Sequence, residues 1–208
     1  FQASISEANL RGIMPCYSSI NGEPLSSSHK MLTGLLREEM GFDGVCAADY
    51  GAVGNVFHVQ KVGESVTEAG LMCMEAGMDV EMQNCVGFNE ELKEWFRSGR
   101  ANMEILDRAV RRILEAKFRM GIFEHPYALE NEALQEAFYR KEDEGILLRA
   151  ALESLILLKN NGVLPFNPNG RKIAVVGCHA QNARCFFGGY THISMMEAVH
   201  AVANSIAG

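Results

Sequence analysis

Residues 35–51 carry the sequence Leu-Leu-Arg-Glu-Glu-Met-Gly-Phe-Asp-Gly-Val-Cys-Ala-Ala-Asp-Tyr-Gly, on which the fold prediction rests. This order predicts the end of a helix, a glycine-rich turn and a short strand. Residues 45–48 are apolar without polar alternation, which is typical of a strand covered on both faces in a parallel sheet. Asp49 ends that run. Reactive side chains collect where parallel strands end, so Asp49 is a candidate reactive group, with a turn or helix-capping role as the alternative.

Strands and helices alternate around this stretch. The apolar spacing predicts them in turn at residues 11–19, 31–40, 45–48, 64–75 and 78–82. Such an order is typical of βαβ units in an α/β protein with a parallel sheet, although three strands do not close a barrel. Further helices are predicted at residues 88–97, 103–120 and 145–160.

Turn residues between positions 161 and 170 predict the start of a new module. A buried strand is predicted at residues 172–177 and a helix at residues 194–207. A strand followed by a glycine loop can open a nucleotide-binding fold. However, the loop after Gly177 lacks the Gly-x-Gly-x-x-Gly spacing of dinucleotide sites, so no cofactor is expected.

Composition and charge exclude several classes of partner. The formal charge of −7 and the absence of a basic cluster argue against nucleic acid and against an anionic membrane surface. No apolar run approaches the ~20 residues of a membrane-spanning helix. The six cysteines are scattered, which favours free buried thiols over a disulfide frame or a metal site. Cys178, His179 and Cys185 come nearest to a ligand cluster, but no metal is expected.

Several segments resemble glycoside hydrolase family 3. Residues 35–51 are similar to the nucleophile signature of that family. Four other segments occur in the family's order. Residues 14–22 resemble the Met-Pro-Ser-Tyr-Asn loop, and residues 76–82 resemble the Ala-Gly-x-Asp-Val-Glu segment. Residues 107–124 resemble the last barrel helix, and residues 157–165 resemble the entry into the second domain.

The resemblance implies a fold and a domain order. Residues 1–127 are expected to form the C-terminal portion of a (β/α)8-type barrel, and residues 128–170 a linker with a connecting helix. Residues 171–208 are expected to hold the first strand and helix of an α/β sandwich domain. The chain is therefore expected to be a fragment, which binds sugar weakly and hydrolyses almost nothing by itself.

The resemblance also implies a chemistry and a site. Family members hydrolyse terminal β-linked sugars with retention, through a covalent intermediate on a carboxylate. Asp49 matches the nucleophile. Tyr17 matches the loop tyrosine beside it, and Tyr50 matches an aromatic residue of the sugar pocket. A purely structural role is the alternative for each tyrosine. Ala48 departs from the family, which commonly has Ser or Thr directly before the nucleophile.

The acid/base residue of the family usually lies in the second domain or a late loop, so it is expected outside this chain. A β-glucosidase is the favoured activity. The alternatives are a β-xylosidase, a non-catalytic sugar-binding module, and an unrelated nucleotide-binding protein built on residues 173–177. The expected partners are an oligosaccharide or β-glycoside and a second copy of the chain, because an open sheet edge invites pairing. The sequence leaves the compartment open, with the cytoplasm favoured.

Overall fold

The computed structural model describes residues 1–128, 130–138, 140–167, 169–170 and 172–207. The predicted domain limits Arg171 and Gly208 lie outside these ranges. The described chain divides into two compact units, Phe1–Phe138 and Tyr139–Gly208. The predicted domains at residues 1–127, 128–170 and 171–208 remain a prediction.

Helices dominate the first unit. They are α1 (Gln2–Ser6), a π-helix (Lys30–Glu39), α2 (Ala52–His58), α3 (Val66–Ala76), α4 (Glu90–Arg97), α5 (Met103–Arg119) and α6 (Asn131–Phe138), with a 3-10 turn at Leu25–Ser27. Side chains cap three of them, because the oxygens of Ser65, Asn89 and Asn102 accept backbone N–H bonds from the first turns of α3, α4 and α5.

A small parallel sheet lies at the centre of this unit. Strand β1 (Gly12–Ile13) pairs in parallel with β4 (Val45–Cys46), and Ala47 forms a parallel bridge with Val80. The N–H of Ala48 donates to the carbonyl of Val80 at 2.8 Å, which extends the pairing one residue further. Three extended segments therefore lie side by side in chain order, as in a βαβ arrangement. A separate hairpin joins β2 (Ser19–Ile20) to β3 (Glu23–Pro24).

Besides a small cluster of Leu32, Cys46 and Ala76, two larger buried clusters hold the first unit together. One packs α2 and α3 against the end of the β4 segment, with Ala48, Val53, Val56, Cys73 and Met78 among its members. The other joins α3, α4 and α5 through Met74, Leu92, Trp95, Phe96 and Ala109. Helix α2 was not predicted. Its seven residues include Gly54 and the β-branched Val53 and Val56, which are weaker helix formers than Ala, and burial of its apolar side stabilises it instead.

The second unit contains a 3-10 turn (Lys141–Asp143), α7 (Glu144–Glu153), a second 3-10 turn (Ala183–Phe186) and α8 (His192–Ala207). The predicted helix at residues 145–160 is therefore shorter than expected, and the predicted helix at residues 194–207 is confirmed. The predicted buried strand at residues 172–177 is wrong. These residues pair with no strand in the described part of the chain, and the side chain of Val176 is 84% exposed. A strand needs a hydrogen-bonded neighbour, which the described residues do not supply.

The predicted strands of the first unit are shorter than expected. The prediction at residues 11–19 reduces to β1, and the prediction at residues 78–82 reduces to the single bridge at Val80. Part of the apolar face of α5 is uncovered, since Val110, Leu114 and Phe118 are exposed. Within the described residues, no helix has the length and apolar character that crossing a membrane requires.

Candidate active site

The candidate site lies where the three parallel segments end. Met14 follows β1, Asp49 follows the β4 segment, and Glu81 follows the Val80 bridge. Parallel strands place their carboxyl ends at the same edge of a sheet, so the three following loops meet there. The N–H of Gly51 donates to the carbonyl of Met82 at 3.1 Å, which joins two of these loops directly.

Asp49 lies in the turn between the β4 segment and α2. Its Oδ1 accepts a hydrogen bond from the backbone N–H of Tyr50 at 2.7 Å, and its carbonyl accepts one from Ala52 at 3.0 Å. The side chain does not cap α2, whose N-cap is Gly51 in the left-handed region at φ 72°. A residue with a side chain is strained there, so the glycine suits the sharp turn into the helix. Asp49 is half-buried, and the hydrogen bond from the Tyr50 N–H fixes its carboxylate.

Tyr17 and Tyr50 lie together beside this turn. The Tyr17 hydroxyl donates to the carbonyl of Tyr50 at 2.8 Å. The side chain of Tyr50 is 60% exposed and that of Tyr17 is 44% exposed, so neither belongs to the core. The structure therefore brings together all three residues singled out in the sequence, namely Asp49, Tyr17 and Tyr50. Their roles in binding and catalysis remain predictions.

Gln60 is a residue of this site that the sequence analysis missed. Its Nε2 donates to the carbonyl of Tyr17 at 2.9 Å and to the Ser19 hydroxyl at 3.1 Å. Its backbone N–H donates to the carbonyl of Asn55 in α2 at 2.9 Å. A single glutamine in a polar segment gives no sequence signal, because only the fold shows that it reaches a loop more than 40 residues away.

Glu81 stabilises the loop that follows the Val80 bridge. Its carboxylate accepts backbone N–H bonds from Gly87 at 3.0 Å and from Phe88 at 2.7 Å. These bonds close the loop of residues 82–86 just before α4. Gly87 must be small, because a Cβ there would lie 2.4 Å from a side-chain carbon of Val53. Gly70 in α3 approaches the same segment, and a Cβ on it would lie 2.3 Å from the carbonyl oxygen of Gly87.

Two other aspartates of the motif stretches lie away from this edge. Asp79 is fully buried and accepts hydrogen bonds from Arg37 at 2.8 Å, Arg112 at 2.9 Å and the N–H of Cys46 at 2.9 Å. Asp43 precedes β4 and forms exposed ion pairs with Arg11 and Arg119. Both carboxylates form ion pairs that stabilise the fold.

Cys16 is an exposed thiol in the loop that carries Tyr17. Hydrogen bonding from the side chain of Ser18 lowers the pKa of Cys16, and the backbone of Ser18 acts in the same direction. The negative charge of Asp49 is close enough to oppose this lowering. An apolar cavity of about 260 Å³ lies between this loop and the π-helix, with Met14, Leu32 and Leu36 in its lining. Its lining does not include Asp49, and its apolar walls do not suit a sugar.

Metal-binding side chains are not grouped in the described residues, where no cluster of three or more His, Cys, Asp or Glu side chains could hold an ion. Cys178 and Cys185, which came nearest to a ligand cluster in the sequence, are both exposed. The Cys185 thiol donates to the carbonyl of Asn182 at 2.9 Å.

Comparison with known proteins adds three findings. The family model described as the glycosyl hydrolase family 3 N terminal domain matches residues 1–116. A putative beta-xylosidase from Formosa agariphila is 35% identical over 85% of this chain, which corresponds to 23% of that protein. The lysosomal beta glucosidase of Dictyostelium discoideum is 32% identical over 92% of this chain and 24% of its own length.

The structural similarity agrees with these matches. The crystal structure of a beta-glucosidase from Listeria innocua superposes with a TM-score of 0.67 at 33% identity, over 79% of this chain and 22% of that one. The Listeria enzyme has also been solved in complex with glucose, and a mutant of it in complex with laminaribiose. The chain spans about a quarter of the length of the curated relatives it matches.

Proposed function

Since this chain belongs to glycosyl hydrolase family 3, we propose that it carries the nucleophile segment of a retaining enzyme that hydrolyses terminal β-linked sugars. The observation that supports this most is the placement of Asp49. Its carboxylate stands where a parallel strand ends, is held through Oδ1 by the Tyr50 N–H, and is half-buried rather than sealed in the core. A nucleophilic carboxylate needs this combination of fixed geometry and access to substrate.

In the proposed reaction, Oδ2 of Asp49 attacks the anomeric carbon of the sugar. The bond from that carbon to the leaving-group oxygen breaks, and a carboxylic acid protonates that oxygen. The product of this step is a glycosyl ester of Asp49, which a water molecule then hydrolyses. The hydrogen bond from the Tyr50 N–H to Oδ1 orients the carboxylate, and Oδ2 is the oxygen proposed to attack.

The acid/base residue is proposed to lie outside this chain. Glu81 is a carboxylate at the start of the loop after the Val80 bridge, but the N–H groups of Gly87 and Phe88 already hold it. These two bonds fix the Glu81 carboxylate against the loop that precedes α4, so it serves a structural role there. We therefore assign Glu81 to the support of the loop.

The proposed architecture follows the family. We propose that the segments at β1, β4 and Val80 are consecutive members of a (β/α)8-type barrel, since they pair in parallel in chain order. We also propose that residues 128–170 connect the barrel to a second module that begins near residue 171. The segments that complete both modules would lie outside this chain.

β-Glucosidase is the favoured activity, with β-xylosidase as the second candidate. The complexes of the Listeria enzyme with glucose and laminaribiose favour the first. The xylosidase names of two relatives from Formosa agariphila favour the second. The proposed partner is accordingly a β-glycoside or an oligosaccharide.

Kinetics of the polypeptide that carries this chain together with the remaining family segments test the proposal. We expect turnover of an aryl β-glucoside or an aryl β-xyloside, and a loss of about 10⁴-fold or more in kcat for Asp49→Asn. The matched control is Asp43→Asn, which removes an exposed carboxylate and is expected to leave kcat unchanged. Equal kcat values for wild type and Asp49→Asn would refute the proposal. Absence of turnover with bound sugar would favour a non-catalytic sugar-binding module.

A further inference from the structure

The loop that carries Tyr17 has little hydrophobic anchoring. We define the Tyr17 loop as residues 14–20. Among its residues only Pro15 is buried, and the side chains of Met14 and Ile20 are largely exposed. A loop with few buried apolar contacts opens at low free-energy cost unless hydrogen bonds hold it. What fixes Tyr17 beside Asp49 must therefore be found among polar contacts.

Gln60 makes such a contact. Its Nε2 supplies two donors, one to the backbone carbonyl of Tyr17 at 2.9 Å and one to the hydroxyl of Ser19 at 3.1 Å. Both N–H groups of the amide are used, and they span two residues of the Tyr17 loop. The backbone N–H of Gln60 donates to Asn55 in α2, so the amide extends from a fixed point.

The Tyr17 hydroxyl provides a further point of attachment for the loop. It donates to the carbonyl of Tyr50 at 2.8 Å, directly after Asp49. Helix α2 begins at Ala52 and leads to Gln60, which returns to the Tyr17 loop. The phenol and the Gln60 amide thus hold the loop in addition to the β2–β3 pairing and the hydrogen bond from the Leu25 N–H to the Ser18 carbonyl.

We propose that Gln60 is a positioning residue for the reaction. By holding the Tyr17 loop at its backbone, it keeps the Tyr17 phenol at the carbonyl of Tyr50 and so fixes the wall of the sugar site beside Asp49. This inference rests on the proposed function, although the contact itself does not. Gln60 is proposed to act through the Tyr17 loop, which it contacts at Tyr17 and Ser19, and not as a catalytic residue.

Three variants separate this role from a general effect on stability. Gln60→Met keeps the length of the side chain and removes both donors. Gln60→Lys supplies an ammonium donor on a side chain one atom longer, so it is expected to donate to the Tyr17 carbonyl and to restore the wild-type behaviour in large part. Gln135→Met makes the same chemical change on the exposed surface of α6 and is the matched control.

Two measurements test whether Gln60 positions the Tyr17 loop. Both use a polypeptide that joins this chain to the remaining segments of the family. Amide hydrogen exchange of the peptide covering residues 14–25 is expected to become about tenfold faster in Gln60→Met, because two hydrogen bonds are lost. The value of kcat for the aryl β-glycoside is expected to fall about tenfold while KM changes less than about twofold. Gln60→Lys and Gln135→Met are expected to remain close to wild type.

Each possible outcome supports or contradicts a specific part of the proposal. Unchanged exchange in Gln60→Met would overturn the proposed hold on the loop. Faster exchange with unchanged kcat would overturn the positioning role. Wild-type polypeptide without turnover would instead refute the proposed function, and the exchange rates would still decide whether Gln60 holds the loop.

Discussion

Cys16, Cys46 and Cys73 of the first unit differ sharply in their surroundings. Burial raises the pKa of Cys46 to about 12, and the negative charge of Asp79 acts in the same direction. Burial likewise raises the pKa of Cys73 to about 12. Cys16 is exposed, and hydrogen bonds from Ser18 lower its pKa. Since the thiolate is the reactive form, Cys16 holds more of it at neutral pH than the two buried thiols.

Alkylation by iodoacetamide is therefore expected to label Cys16 well before Cys46 and Cys73. A lowered pKa places the half-maximal rate for Cys16 at a pH below that of a free cysteine peptide, and Ser18→Ala is expected to shift this pH upward. Peptide mass spectrometry after timed labelling of the folded chain measures all three sites. Labelling of Cys46 or Cys73 as fast as Cys16 in the folded chain would contradict this.

The residues of the candidate site were predictable to different degrees. Asp49 could be singled out because an ionisable residue follows an unbroken apolar run, and the strand does end there. The contact between Tyr17 and Tyr50 could not be derived from local pattern, since it joins residues 33 positions apart. Gln60 carried no signal at all, because a hydrogen bond from an amide to a distant backbone carbonyl leaves no trace in spacing or composition.

At the scale of elements, a buried ion cluster joins the π-helix, the central sheet and α5. Asp79 is fully buried between Arg37, which is 8% exposed, and Arg112. Burial lowers the pKa of Arg37, and the charge of Asp79 counteracts this. Arg37 also donates to the carbonyls of Gly44 and Gly77, so the cluster fixes the approach of the π-helix to the sheet.

Removal of the Asp79 charge is expected to destabilise the fold. Asp79→Asn leaves two arginines around a neutral group, and breaking a buried pair in this way costs about 3–5 kcal/mol. Asp43→Asn is the matched control, because Asp43 also lies between two arginines but is 56% exposed. Its expected cost is below about 1 kcal/mol. Urea denaturation followed by circular dichroism measures both, and equal losses for the two variants would contradict the assignment.

Helices were easier to predict than strands at this scale. The periodic apolar residues of α3, α4 and α5 locate these helices within a few residues, and polar caps mark where they begin. A strand needs a hydrogen-bonded partner. The apolar run at residues 172–177 has no such partner among the described residues, so its apolar character alone did not make it a strand. Helix α2 was not predicted, because burial against the rest of the unit, rather than local helix propensity, stabilises it.

For the whole molecule, the main feature is the amount of apolar surface that remains uncovered. Val110, Leu114 and Phe118 of α5 are exposed, as are Ile146, Leu147 and Leu148 of α7. Exposed apolar patches of this kind mark surfaces that pack against other segments or partners. Together with coverage of about a quarter of the curated relatives, this supports the proposal that the chain is one part of a larger catalytic unit.

The 208-residue chain by itself is expected to be almost inactive. The proposed mechanism needs a second carboxyl about 5–5.5 Å from the nucleophile, and Glu81 is already held by backbone N–H groups. An assay of this chain with an aryl β-glucoside is therefore expected to give release at the level of the blank. Release that is lost in Asp49→Ala would show that the chain already contains a complete site.

Covalent trapping of the intermediate tests the central assignment most directly. A 2-deoxy-2-fluoro β-glucoside or β-xyloside slows hydrolysis of the glycosyl ester, so the ester accumulates on the nucleophile. In the polypeptide completed with the remaining family segments, peptide mass spectrometry is expected to find one sugar adduct, on Asp49, and none in Asp49→Asn. An adduct on another carboxylate, with Asp49 unmodified, would contradict the account.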